Sequence, residues 1–132
     1  MAGIPANSLG RIVLISAPND LPSVFNWFAD LLGLRPRSRQ AFFDRVEQIT
    51  GRPLATFSGT VQMARLASPA LVIHARDDKE LSADNARGFA TAGSHVEVLW
   101  ADGYGHRRIL KAPEVIGAVT EFAGQRARAA AA

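Results

Sequence analysis

The sequence predicts an α/β fold: a three-stranded parallel sheet with flanking helices and a helical cap insert after the first strand. Two observations carry this. Three short apolar runs, RIVLISAP (11–18), PALVIHA (69–75) and HVEVLWA (95–101), have the length and β-branched content of strands. Amphipathic patterns with helix start and stop signals lie between and after them.

The first run ends at Pro18 and the second begins after Ser68-Pro69. Both are apolar on both faces, as strands inside a parallel sheet are. The third alternates at first, with Glu97 between Val96 and Val98, which suits a strand nearer the edge. Residues 19–68 form the insert, read as helices over 21–32, 38–49 and 54–66, separated by Gly33-Leu34-Arg35-Pro36 and Gly51-Arg52-Pro53. After the second strand, residues 82–92 open on Ser82 as N-cap and stop before Gly93. Residues 113–125 open with a proline and a glutamate, and Val115, Ile116, Val119 and Phe122 share one face. The tail RARAAAA reads as frayed. Right-handed crossovers in this order place the three strands side by side and parallel.

Composition narrows the function. The 132 residues suit one domain, and 48% hydrophobic with 20% charged residues supports a packed core. Cysteine is absent, which excludes disulfides, thiolate metal sites and a cysteine nucleophile. His74, His95 and His106 have no partner at metal-binding spacing, so a zinc site is not expected. The net charge is +3, and the arginines are scattered instead of gathered into a nucleic-acid stripe. No apolar run approaches the roughly 20 residues of a membrane span, and the start lacks a signal-peptide pattern. The expectation is a soluble, cytoplasmic protein that binds neither nucleic acid nor membrane.

In open α/β sheets, reactive groups gather beyond the carboxyl ends of the strands. Asp78 follows the second strand there, and His106 follows the third in the run Gly103-Tyr104-Gly105-His106. A buried carboxylate that orients an imidazole, leaving its other nitrogen to a nucleophile, is the logic of a catalytic triad. Asp77, one residue earlier, is the alternative acid. His74 lies within an apolar strand and reads as a core residue, His95 as a strand start meeting water, and Asp102 as a turn former.

The stretch 69–124 resembles the C-terminal part of an α/β-hydrolase. In that family a loop of the form G-x-x-D follows one late strand and G-H follows the next. Here A-R-D-D stands for the first, with Ala75 in the glycine's place, and spacing selects Asp78. G-Y-G-H supplies His106, 28 residues later. RIVLISAP is similar to the strand after the nucleophile's helix, and the insert 19–68 occupies the family's cap position. The resemblance implies a single partial α/β-hydrolase domain over 1–132 and ester-like acyl hydrolysis of a small molecule, with no cofactor or metal. Asp78 would be the acid and His106 the base, with Phe25, Trp27 and Phe28 lining an acyl pocket.

The family's G-x-S-x-G nucleophile elbow does not occur in this sequence. The nearest pattern, Ala6-Asn7-Ser8-Leu9-Gly10, has no room for a strand before Ser8, and Ser16 and Ser58 lack the flanking glycines. Acid and base without nucleophile and oxyanion donors would be nearly inert alone. A non-catalytic remnant or interaction module, or half of a split hydrolase, are therefore the alternative readings. The first strand would also lack its upstream neighbour, and an apolar open edge predicts a homo-oligomer joined there.

Overall fold

A computed structural model describes residues 10–66 and 68–131; Ser8 lies outside them. The sheet has three parallel strands, β1 (Ile12–Ile15), β2 (Ala70–His74) and β3 (Val96–Trp100), in the order β1-β2-β3. Registers run from Ile12 opposite Ala70 to Ile15 opposite Ile73, and from Ala70 opposite Val96 to His74 opposite Trp100. The α/β expectation holds.

Strand β2 is central, and all five of its residues are buried. Its alternation builds a layer on each side of the sheet. Leu71 and Ile73 pack with Ile109, Val115 and Phe122, whereas Ala70 and Val72 pack with Met63, Ala86 and Phe89. The first layer is covered by helix α6 (Pro113–Ala131), the second by α3 (Gly59–Ala64) and α4 (Asp84–Ala90). Strand β1 is only half-buried, although its composition matches a central strand. Among the described residues it pairs on one side alone, so its outer edge stays open.

Between β1 and β2 run α1 (Leu21–Leu31), α2 (Pro36–Thr50), a 3-10 turn at Leu54–Thr56 and then α3. Asp20 caps α1 by accepting from the Ser23 amide. Phe42 joins the two long helices, with ring centroids 5.8 Å from Phe25 and 6.0 Å from Phe28. The single helix expected over 54–66 is broken. Phe57 takes a non-helical conformation, Ser58 bridges to Asp20, and the Ser58 hydroxyl caps a new helix at the Val61 amide.

A polar knot ties the start of α1 to α3 and α4. Asn19 Oδ1 accepts from the Thr60 hydroxyl at 3.0 Å, while Asn85 Oδ1 accepts from the Asn19 amide at 2.7 Å. The α4 cap differs from expectation: Ala83 occupies it, and Ser82 instead accepts from the Asp84 amide. Helix α6 continues through the alanine-rich tail to Ala131, consistent with the high helix propensity of Ala and Arg.

Candidate active site

Asp78 and His106 emerge from neighbouring strands on the carboxyl side of the sheet. After β2 the chain turns tightly, the Asp78 amide donating to the Ala75 carbonyl at 3.1 Å. The Asp78 carboxylate then folds over its own loop, Oδ1 accepting from the Glu80 and Leu81 amides at 2.8 Å each. After β3, Gly103 (φ 89°) and Gly105 (φ 59°) take left-handed conformations that favour glycine, and they deliver His106 into the short helix α5 (Gly105–Arg108). His106 thus sits in a single helical turn.

The two side chains meet. His106 Nδ1–H donates to Asp78 Oδ2 at 2.8 Å. The carboxylate side chain is 0% exposed and the imidazole 31%. Burial pushes the Asp78 pKa up, but the Leu81 amide, the His106 contact and the Glu80 amide together outweigh it. Its carboxyl therefore lies below its ordinary 3.8. Among the described residues, no hydrogen-bond partner stands at His106 Nε2.

Three further ties lock the two loops together. Arg76 reaches Asp102 with its guanidinium at 2.5 Å and its amide at 2.8 Å. Asp77 Oδ1 accepts from the Gly103 amide at 2.8 Å. Arg107 pairs with Glu80 at 2.9 Å. Asp77, the alternative acid, contacts the Gly103 amide, whereas the imidazole contacts Asp78, and Asp102 does more than form a turn.

Other residues fall differently. His74 is fully buried, as a core position requires, yet its Nε2–H donates to the Leu81 carbonyl at 3.1 Å. His95 is half-buried and donates to the Met63 carbonyl at 3.2 Å. Ser16 has a positive φ of 46°, and its hydroxyl is buried with no partner among the described residues. Ser58 caps α3. Neither hydroxyl serves the imidazole.

Cavities flank the pair. One of about 510 Å³ lies on the Asp78 side, lined by Val24 and Trp27 of α1 together with Arg76, Leu81 and Arg87. The other, about 490 Å³, lies at His106, lined by Lys79, Tyr104 and Arg107. Of the three aromatics expected at an acyl pocket, Trp27 alone lines the first cavity; Phe25 and Phe28 pack on Phe42. Among the described residues no group of three metal-ligating side chains occurs, and no helix is long and apolar enough to cross a membrane.

Solved structures share this arrangement of strands and helices. The non-heme bromoperoxidase candidate BpoC of Mycobacterium tuberculosis superposes with a TM-score of 0.60 at 17% identity, over 92% of this chain and 60% of that one. The chain has an α/β-hydrolase fold. The meta-cleavage product hydrolase of Pseudomonas fluorescens matches with a TM-score of 0.54 at 17% identity, over 89% of this chain and 56% of that one. An α/β-hydrolase enzyme from a lagoon-sediment metagenome in Morocco matches with a TM-score of 0.52 at 13% identity, covering 88% and 50%. The chain thus spans 50% to 60% of the length of these structures. No protein-family model and no curated protein matches it.

Proposed function

We propose that Asp78 and His106 are the acid and base of a serine-type acyl hydrolase acting on a small ester-like substrate. The observation that carries this is the 2.8 Å contact between His106 Nδ1 and a buried carboxylate whose other oxygen is held by two amides. With its proton held on Nδ1, the imidazole presents the Nε2 lone pair outward. It would take the proton of an attacking hydroxyl and return it to the leaving group, while Asp78 stabilises the transient imidazolium. The hydroxyl comes from outside the described residues, in this chain or in a second polypeptide. The insert 19–68 acts in this reading as a cap, with Trp27 over the cavity beside Asp78.

A fluorophosphonate probe combined with a short-chain ester assay tests the reading. Labelling that disappears in His106→Gln is the expected result, and the labelled peptide identifies the nucleophile, Ser8 included. Labelling only after a separate polypeptide is added would assign the chain to a split enzyme. Labelling and turnover that persist unchanged in His106→Gln would refute the role of the imidazole, and no reaction under any condition would favour the remnant reading.

The open edge of β1 supports a homo-oligomer as well. Its outward backbone groups offer a template for the same strand of a second copy. Light scattering at tens of micromolar should show a dimer or larger species; a monodisperse monomer would defeat this.

A further inference from the structure

Strand β2 contains one polar side chain, and it stands at the end where the Asp78 loop begins. His74 is 0% exposed and packs edge-on against Trp100, ring centroids 6.4 Å apart. A buried polar group is costly unless it makes contacts that compensate, and an aliphatic residue would continue the Ala-Leu-Val-Ile run without that cost. The compensation lies in the loop. His74 Nε2–H donates to the Leu81 carbonyl at 3.1 Å and stands 3.7 Å from Asp78 Oδ2. Leu81 is itself only 8% exposed, and its amide donates to Asp78 Oδ1. Leu81 is therefore pinned twice, its carbonyl by His74 from beneath and its amide by Asp78 from above.

We propose that His74 is a positioning residue: it clamps the 78–81 loop onto the end of β2 and so fixes the Asp78 carboxylate in the orientation that receives His106. The clamp fixes a tautomer. The donating proton is on Nε2, and Nδ1 is buried with no partner among the described residues, so a proton placed there would have no acceptor. Without the clamp, the Leu81 carbonyl loses its donor inside the protein, and the amides aimed at Asp78 lose their anchor. That Asp78 is a catalytic acid rests on the function proposed above; the clamp is a matter of loop geometry and is read without turnover.

The test is amide hydrogen exchange in the full chain, combined with nitrogen NMR of the imidazoles. In His74→Leu, the Glu80 and Leu81 amides should exchange about tenfold faster, the effect of losing one buried hydrogen bond. Amides within the sheet should keep their rates. His74→Gln places a side-chain N–H close to the position of Nε2 and should restore slow exchange. Glu80 and Leu81 rates within twofold of wild type in a folded His74→Leu protein would overturn the proposal. So would a His74→Gln protein that loosens as much as His74→Leu. If His74→Leu does not fold, the wild-type spectrum decides: a proton on Nε2 of His74 supports the clamp, and one on Nδ1 excludes it. Unchanged Glu80 and Leu81 exchange in His74→Leu with fluorophosphonate labelling intact would sink this inference alone, whereas a working clamp in a chain that never labels would sink only the hydrolase reading.

Discussion

Replacing Asp78 with asparagine probes the acid–base pair most directly, because it changes one oxygen into an NH₂ and little else. Oδ1 accepts two amide hydrogen bonds, from Glu80 and Leu81, which an amide oxygen can also accept. The NH₂ group is then forced into the place of Oδ2, 2.8 Å from His106 Nδ1. Turning the amide around would spoil two bonds to save one. The imidazole must therefore give up its Nδ1 proton, accept from Asn and carry its proton on Nε2. A hydrogen bond to a charged group contributes about 1.5–3 kcal/mol and a neutral one about 1, so the exchange costs roughly 0.5–2 kcal/mol. The Asp78 side chain is fully buried, so solvent screening removes little, though relief from burying a charge offsets part of the loss. Urea unfolding at pH 7 should show Asp78→Asn less stable by about 0.5–2 kcal/mol, and nitrogen NMR should show the switched tautomer. The pH dependence has a definite sign. The folded carboxyl lies below its ordinary 3.8, so its contribution is complete above that value and fades as pH falls through the lower folded pKa. The wild-type advantage over Asp78→Asn should therefore shrink in acid. A variant as stable as wild type at neutral pH, its His106 proton still on Nδ1, would refute the reasoning. Where a nucleophile is present, the switched tautomer cannot take its proton, and a rate loss on the order of 10⁴ is expected.

Gly88→Ala should destabilise the protein even though alanine favours helices by about 1 kcal/mol. A Cβ at Gly88 would lie 2.1 Å from Asn19 Nδ2, and Asn19 is held by Thr60. Overpacking costs about 1–3 kcal/mol, and in an Asn19→Ala background Gly88→Ala should become stabilising; urea midpoints of the four proteins decide it. Asp77→Ala should leave stability within about 1 kcal/mol because the contact is exposed. It should also speed exchange of the Gly103 amide, and an unchanged rate would remove Asp77 as a brace. Ile109→Ala, at a position 0% exposed in the main core, should cost about 2–5 kcal/mol in the same unfolding assay.

The strands were legible because the burial of β2 on both faces leaves an uninterrupted apolar run, and runs of that kind mark a parallel sheet. The meeting of Asp78 and His106 was legible from their places just beyond the carboxyl ends of β2 and β3. The half-burial of β1 was not, since composition reports what a strand can bury and its neighbours decide what it does. The roles of Asp77 and Asp102 were equally hidden. Each contacts the opposite loop 26 positions away, through a backbone amide in both cases, and backbone amides leave no trace in residue type. Trp27 separated from Phe25 and Phe28 for a geometric reason. Residues three apart share a helix face, and Phe25 and Phe28 both turn toward Phe42. The break at Phe57 depended on the distant partner Asp20, which local periodicity cannot register.

The ties between the loops after β2 and β3 bear on how this region can change. Arg76 with Asp102, Asp77 with Gly103, Glu80 with Arg107 and Asp78 with His106 form four rungs between two short segments. A substitution on one side leaves a stranded partner on the other, so the segments should drift together or not at all. Grafting them into another scaffold would succeed as a pair and fail singly. The two loops are one interchangeable part that happens to be encoded in two places.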